Sequence, residues 1–221
     1  MAGALDSRCD HYSTGCISIA PIKRLSETRF KIPSFELHPM TAQTYQDVLS
    51  FWFREIDAKS WWAAEPAFDE IVRARFLQLL DQATLGQCAS WRADPDGRLA
   101  EIIVLDQFSR NIHRGTPAAF AQDALALTQA NEAVVSGAHL LLAPVERSFL
   151  LMPYMHSESR AVHAKAEILF RDHTPPSNYN FELRHKAIID RFGRYPHRNE
   201  ILGRTSTPEE LEFLKLPGSS F

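Results

Sequence analysis

Long apolar runs are missing from this chain of 221 residues. None approaches the roughly 20 residues needed to span a bilayer, so a membrane-spanning segment is not expected. Cysteine is scarce. Cys9, Cys16 and Cys88 are odd in number and match no zinc-ligand spacing. A disulfide framework is not expected, and a reducing compartment fits better. A positive charge excess is missing too. The formal net charge is -3, so no global field favours nucleic acid, and any cationic site has to be local. The start, MAGALDSRCDHYSTGCISIAPIKR, holds no apolar stretch suited to a secretory signal, and Asp6 and Asp10 argue against an organelle transit peptide. A cytoplasmic location is the expectation. Alternating apolar and polar runs are absent, so strands are not expected. The G-x-S-x-G, P-loop and H-E-x-x-H patterns are absent as well.

What is present reads as one globular domain. Hydrophobic residues make up 45% and charged residues 23%, close to ordinary globular usage. Residues 1–40 carry scattered Pro21, Pro33 and Pro39 with no steady period, and are expected to form a loosely ordered extension. Regular signals fill 41–221. Thr41 is a candidate cap for a helix bearing Tyr45, Val48, Leu49 and Trp52 at helical spacing. Phe68, Ile71, Val72, Phe76 and Leu79 form a second stripe, entered at Pro66 and stopped at Gly86. Further helical segments follow, with a break expected at Pro153 because proline cannot donate to the helix ladder. The fold class expected is all-α, with roughly seven or eight helices in short-looped hairpins.

Several polar residues fall where a core should be. Leu99, Ile102 and Ile103 mark an inward stripe, and Asp106 and Arg110 continue it at i and i+4. This pair is either an internal salt bridge orienting two helices or part of a site. His185 shares a face with Phe181, Ile188 and Phe192, as a core histidine bonded to a carbonyl or carboxylate, or as a functional group. His156 and Glu158 can face one site only if the backbone there is not helical. Ser157 is a candidate cap for a new helix beyond Pro153. The stretch RFGRYPHRNEILGR, 191–204, sets Arg191, Arg194, Arg198 and Arg204 among apolar residues. Trp52, Trp61, Trp62 and Trp91 read as packing residues. Glu209, Glu210 and Glu212 read as a solvated face or first-turn acids, and His113, His139, His163 and His173 as surface.

LDQFSRNIHRG (105–115) with PAAF (117–120), PYMHSE (153–158), RFGRYPHRNEILGR and TSTPEELEFL (191–214), and VLSFWF near the start of the domain resemble the family filed as domain of unknown function 924. The resemblance covers about 43–221. It implies a tetratricopeptide-like array of antiparallel helical hairpins, and no settled activity. Where this chain has Tyr154 the family usually has an aliphatic residue, and where it has Tyr195 the family usually has Phe.

The functional expectation is an anion-binding pocket. Arg110, Arg191, Arg194 and Arg198 offer planar charged forks suited to carboxylate or phosphate, and Arg194 in particular is expected to hold the anion. Asn111 and Asn199 add neutral donors, giving Arg110–Asn111 and Arg198–Asn199 the look of two similar clamps. His156, His185 or His197 would act as acid or base, with Glu158 or Asp106 orienting it or activating water. The reaction class would be hydrolysis or transfer on an anionic small molecule. No cofactor and no metal are expected, since His156, Glu158, His185 and His197 lack recognised ligand spacing. Two other readings stand beside this. One is a binding module whose concave face clamps a peptide carboxylate. The other is a buried polar network that only fixes how helices stack.

Overall fold

The computed structural model describes residues 43–62 and 64–220. The extension expected over 1–40 and the candidate cap Thr41 lie outside the described residues. All regular structure among the described residues is helical, as expected. Helix α1 (Tyr45–Ser50) starts after Thr44, whose backbone N–H and hydroxyl both donate to Asp47 Oδ2, at 2.8 and 2.9 Å. It runs straight into a π turn, Phe51–Glu55. Helix α2 (Pro66–Thr84) has its proline in the first turn, where the missing N–H costs nothing. Helix α3 (Pro95–Ile103) is capped by Asp94, which accepts from the Asp96 N–H at 3.0 Å. A second π turn, Val104–Phe108, carries α3 into α4 (Ser109–Ile112). Then come α5 (Asp123–Val135), α6 (Pro144–Met155), α7 (Arg160–His173), α8 (Pro176–Phe192) and the short α9 (Pro208–Leu214). None of the described helices is long and apolar enough to cross a membrane.

Helix α6 packs against α3, α5 and α7, and every residue from Ser148 to Met155 is buried. This explains why the expected break at Pro153 does not occur. An internal proline costs about 3 kcal/mol. Burying an apolar side chain contributes about 1.5–3 kcal/mol, and Phe149, Leu150, Leu151, Met152 and Met155 are all buried here. Tertiary burial wins, and the helix ends two residues after the proline. The new helix is not capped by Ser157 either; α7 begins after Ser159.

Helix α3 packs on α1, α5 and α6, and the π turn after it packs on α2. The core is aromatic at this junction. Phe76 and Phe108 stack at 4.5 Å, Phe51 meets Phe76 at 4.9 Å, and Trp52 meets Phe149 edge-on at 5.6 Å. Trp52 is buried, as a packing residue should be, whereas Trp62 is 58% exposed.

The turn Ala89–Ala93 is bolted to α3 by Arg92, which donates to both oxygens of the fully buried Glu101 at 2.7 Å. The approach is so close that a Cβ at Gly97 would overlap the Trp91 carbonyl. Gly97→Ala should therefore lower the urea midpoint, by a destabilisation of about 1–3 kcal/mol typical of overpacking, despite the better helix propensity of alanine.

Candidate functional site

A cavity of about 480 Å³ opens where the α3–α4 helix, the end of α6, α8 and the segment 195–201 converge. That is within the range of small-molecule sites. Its lining includes the apolar side chains of Trp61, Trp62, Met152, Met155 and Phe181. It also includes the polar side chains of Arg110, His156, His185, His197 and Arg198. Of the residues expected to form a site, Asn111 also lines the cavity.

Asp106 sits behind the polar lining, fully buried. It lies in the π turn, a local insertion often found at functional positions. Its Oδ1 accepts from His156 Nδ1 at 2.8 Å and lies 3.0 Å from Arg110 Nη1; Gln107 donates to Oδ2 at 2.5 Å. Burial opposes ionisation, but Arg110 first, then His156 and Gln107, hold the carboxyl well below the usual carboxylate range. An ionised Asp106 can only accept, so His156 carries its proton on Nδ1. Burial, and then the charge of Arg110, lower the His156 pKa against the pull of Asp106. The ring is neutral near pH 7, and nothing among the described residues takes up its Nε2. His156 is the C-cap of α6, so it stands at the negative end of that helix and not beside the positive end of a new one.

Arg110 reaches a second carboxylate, with Nη2 at 2.9 Å from Asp123 Oδ1, in charge contact without a well-aligned hydrogen bond. Asp123 Oδ2 accepts from Arg198 Nη1 at 3.1 Å. The Arg198 guanidinium lies 4.6 Å from the ring centres of both Phe120 and Tyr195, a cation–π arrangement. Its Nε has no hydrogen-bond partner among the described residues. The chain Asp106–Arg110–Asp123–Arg198 thus links the two clamps that the sequence suggested. Asn111 and Asn199 do not act as parallel donors in them. Asn111 Nδ2 is spent on Asp69 at 2.9 Å, which Arg114 also grips.

The remaining expected residues are engaged elsewhere. Glu158 turns away from His156. It accepts from the Tyr195 N–H at 2.8 Å and from Arg204 at 2.6 and 2.9 Å. Arg194 donates to both oxygens of Glu210 at 2.6 and 2.7 Å, and Arg191 to Glu209. Asn199 bonds Ser206, Glu210 and Arg204. None of Glu158, Arg191, Arg194 and Asn199 lines the cavity; together they fasten the segment that carries Tyr195, His197 and Arg198. Of the acids read as a solvated face or as first-turn acids, Glu210 is a first-turn acid: it is 2% exposed and closes a capping box with Thr207.

His185 follows the blander of its two readings in part. It lines the cavity, but its Nδ1 bonds the Phe181 carbonyl at 2.8 Å and burial pushes its pKa down to about 3. His197 is lowered to about 4 by burial and then by Arg198. His163, expected at the surface, is fully buried between Glu182 Oε1 at 2.7 Å and the Ser157 carbonyl at 2.8 Å. Tyr195, one of the apolar residues of 191–204 and the position where the family usually has Phe, is fully buried, donating to the Met155 carbonyl at 2.5 Å. Asp123 was missed because a first-turn acid on a helix needs no further reason. Among the described residues no group of three or more His, Cys, Asp or Glu side chains is placed to hold a metal.

The fold and cavity define an all-α protein with a small pocket lined by both apolar and charged side chains. The chain belongs to the family described as bacterial protein of unknown function (DUF924), whose model matches residues 48–218. It is similar to a solved structure, the protein of unknown function ATU0120 from Agrobacterium tumefaciens. The two share 33% identity at a TM-score of 0.74, over 77% of this chain and 96% of that one. No functionally curated protein matches.

The buried neutral histidines give a pH dependence. In the unfolded chain a histidine titrates near about 6.5. His185 and His197 titrate near 3 and 4 in the fold, so below about 6.5 the unfolded state binds protons that the folded state does not. Their stabilising effect is complete above that value and is lost as pH falls. Glu182, whose carboxyl burial pushes up, works in the opposite direction. Urea unfolding should lose roughly 2–4 kcal/mol between pH 7 and pH 5, and His185→Gln should lose clearly less.

Proposed function

We propose that the cavity binds a small organic anion, and that the Asp106–His156 pair takes up a proton with it and serves the bound ligand as a general acid–base group. The observation that carries this reading is the placement of His156 in the cavity wall, its Nδ1 held by a buried ionised carboxylate and its Nε2 left over. An aspartate behind a histidine fixes the tautomer and stabilises the imidazolium formed when Nε2 takes a proton. The anion would lie against Arg198 and Arg110, whose forks suit carboxylate or phosphate.

Exposure favours a pocket over an open peptide groove of the tetratricopeptide-like kind. The side chains of Arg110 and Arg198 are only 18% and 7% exposed. The cavity beside them favours a binding site over a network that only stacks helices. Among the described lining residues none is Ser, Thr, Cys or Lys. The pair would therefore exchange its proton with the ligand or with water, and not with a side-chain nucleophile.

Charge balance adds a signature. Arg110 and Arg198 face Asp106 and Asp123, so the unliganded site is neutral when His156 is neutral. An incoming anion is balanced by a proton on His156, and binding should be coupled to proton uptake. Calorimetry with inorganic phosphate, acetate and benzoate, in two buffers of different ionisation enthalpy, reads this out. The expected result is saturable binding of at least one anion with proton uptake. His156→Gln should remove the uptake, and a folded Arg198→Met should bind at least about tenfold more weakly, the loss of one charge-assisted contact. No binding of any anion, or unchanged binding by Arg198→Met, refutes the reading.

A further inference from the structure

We infer that the anion taken by this pocket is carried on a flat aromatic ring, an inference that rests on the anion-pocket reading above. It comes from the apolar lining of the cavity, which that reading does not use. Trp62 and Phe181 are 58% and 40% exposed, and both line the cavity. Large aromatic surface left in water at the same opening marks a place where something apolar docks. The two rings are nearly parallel, 15° apart with centres at 6.1 Å, and Trp62 is within 17° of Phe149 below it. Aligned planes of this kind offer a face for offset stacking.

Met152 and Met155 line the same cavity. Their thioethers contact aromatic rings favourably and adapt to their edges. Of the arginines lining it, Arg198 lies against the rings of both Phe120 and Tyr195. The guanidinium has five N–H donors. One is committed to Asp123, and Nε has no partner. A ligand with a planar ring and a carboxylate or phosphate at one end matches that set of lining residues. A saturated chain would bury the same area without using the alignment of the planes, so the ring and not bulk hydrophobicity is the feature selected.

The test measures binding of 2-naphthoate, benzoate, cyclohexanecarboxylate, octanoate and acetate by calorimetry, with the full chain and with Trp62→Ala and Phe181→Ala. Both side chains are partly exposed, and thermal unfolding checks that each variant folds. Naphthoate should bind at least about tenfold more tightly than octanoate, and benzoate more tightly than cyclohexanecarboxylate, at the scale of a good aromatic contact. Each variant should erase that preference and leave acetate unchanged. If octanoate or cyclohexanecarboxylate binds as well as its aromatic counterpart, or neither variant alters the preference, the ring assignment is wrong while the anion pocket stands. If none of the acids binds, the pocket reading fails and this inference fails with it.

Discussion

A single carboxylate with no access to water organises the centre of this protein. Asp106 is fully buried, and an ion in that position persists only if it is surrounded by donors. It has three, from Gln107, Arg110 and His156. Gln107 is its neighbour in the π turn, and the other two tie more distant parts of the chain to that turn. His156 brings in the end of α6. Arg110 reaches Asp123 at the start of α5, and through it Arg198 in the C-terminal segment. Buried ion pairs seldom stabilise more than apolar residues of the same size. A linked set of two arginines and two aspartates beside a cavity is thus an expensive way to stack helices, which supports a role in binding.

The C-terminal segment is held by a second set of charges that never meets the cavity. Glu158, Arg204, Asn199, Glu210 and Arg194 form a continuous network. It fixes the backbone on either side of Tyr195 and Arg198. Of the cations in RFGRYPHRNEILGR, only Arg198 lines the cavity. The others are clamps for the turn that delivers it. Gly193, at φ 70°, ends α8 and swings the chain back across the helix ends, a conformation that glycine adopts without strain.

The sequence showed as much of this as local spacing can carry. The all-helical class followed from periodicity. Asp106 and Arg110 were legible because i and i+4 on one helix face must meet, and the π turn leaves that contact intact. His156, His185, His197 and Arg198 stood out as polar residues among apolar ones, and Asn111 as half of a clamp with Arg110. What stayed hidden were partners far apart along the chain. Glu210 looked like a first-turn acid and holds Arg194. His163 looked like a surface residue and is buried against Glu182. Asp123 carried no local signal, although it joins the two arginines. Pro153 was misjudged because local backbone preference was weighed without the burial of the whole helix around it.

The central claim is that buried Asp106 fixes His156 with its proton on Nδ1 and a free Nε2 toward the cavity. Nitrogen-15 NMR of the His156 ring at pH 7 tests this directly. The account requires a protonated Nδ1 and an unprotonated Nε2, with that preference lost in Asp106→Asn. An Nε2-protonated tautomer, or an imidazolium persisting above pH 8, would contradict it.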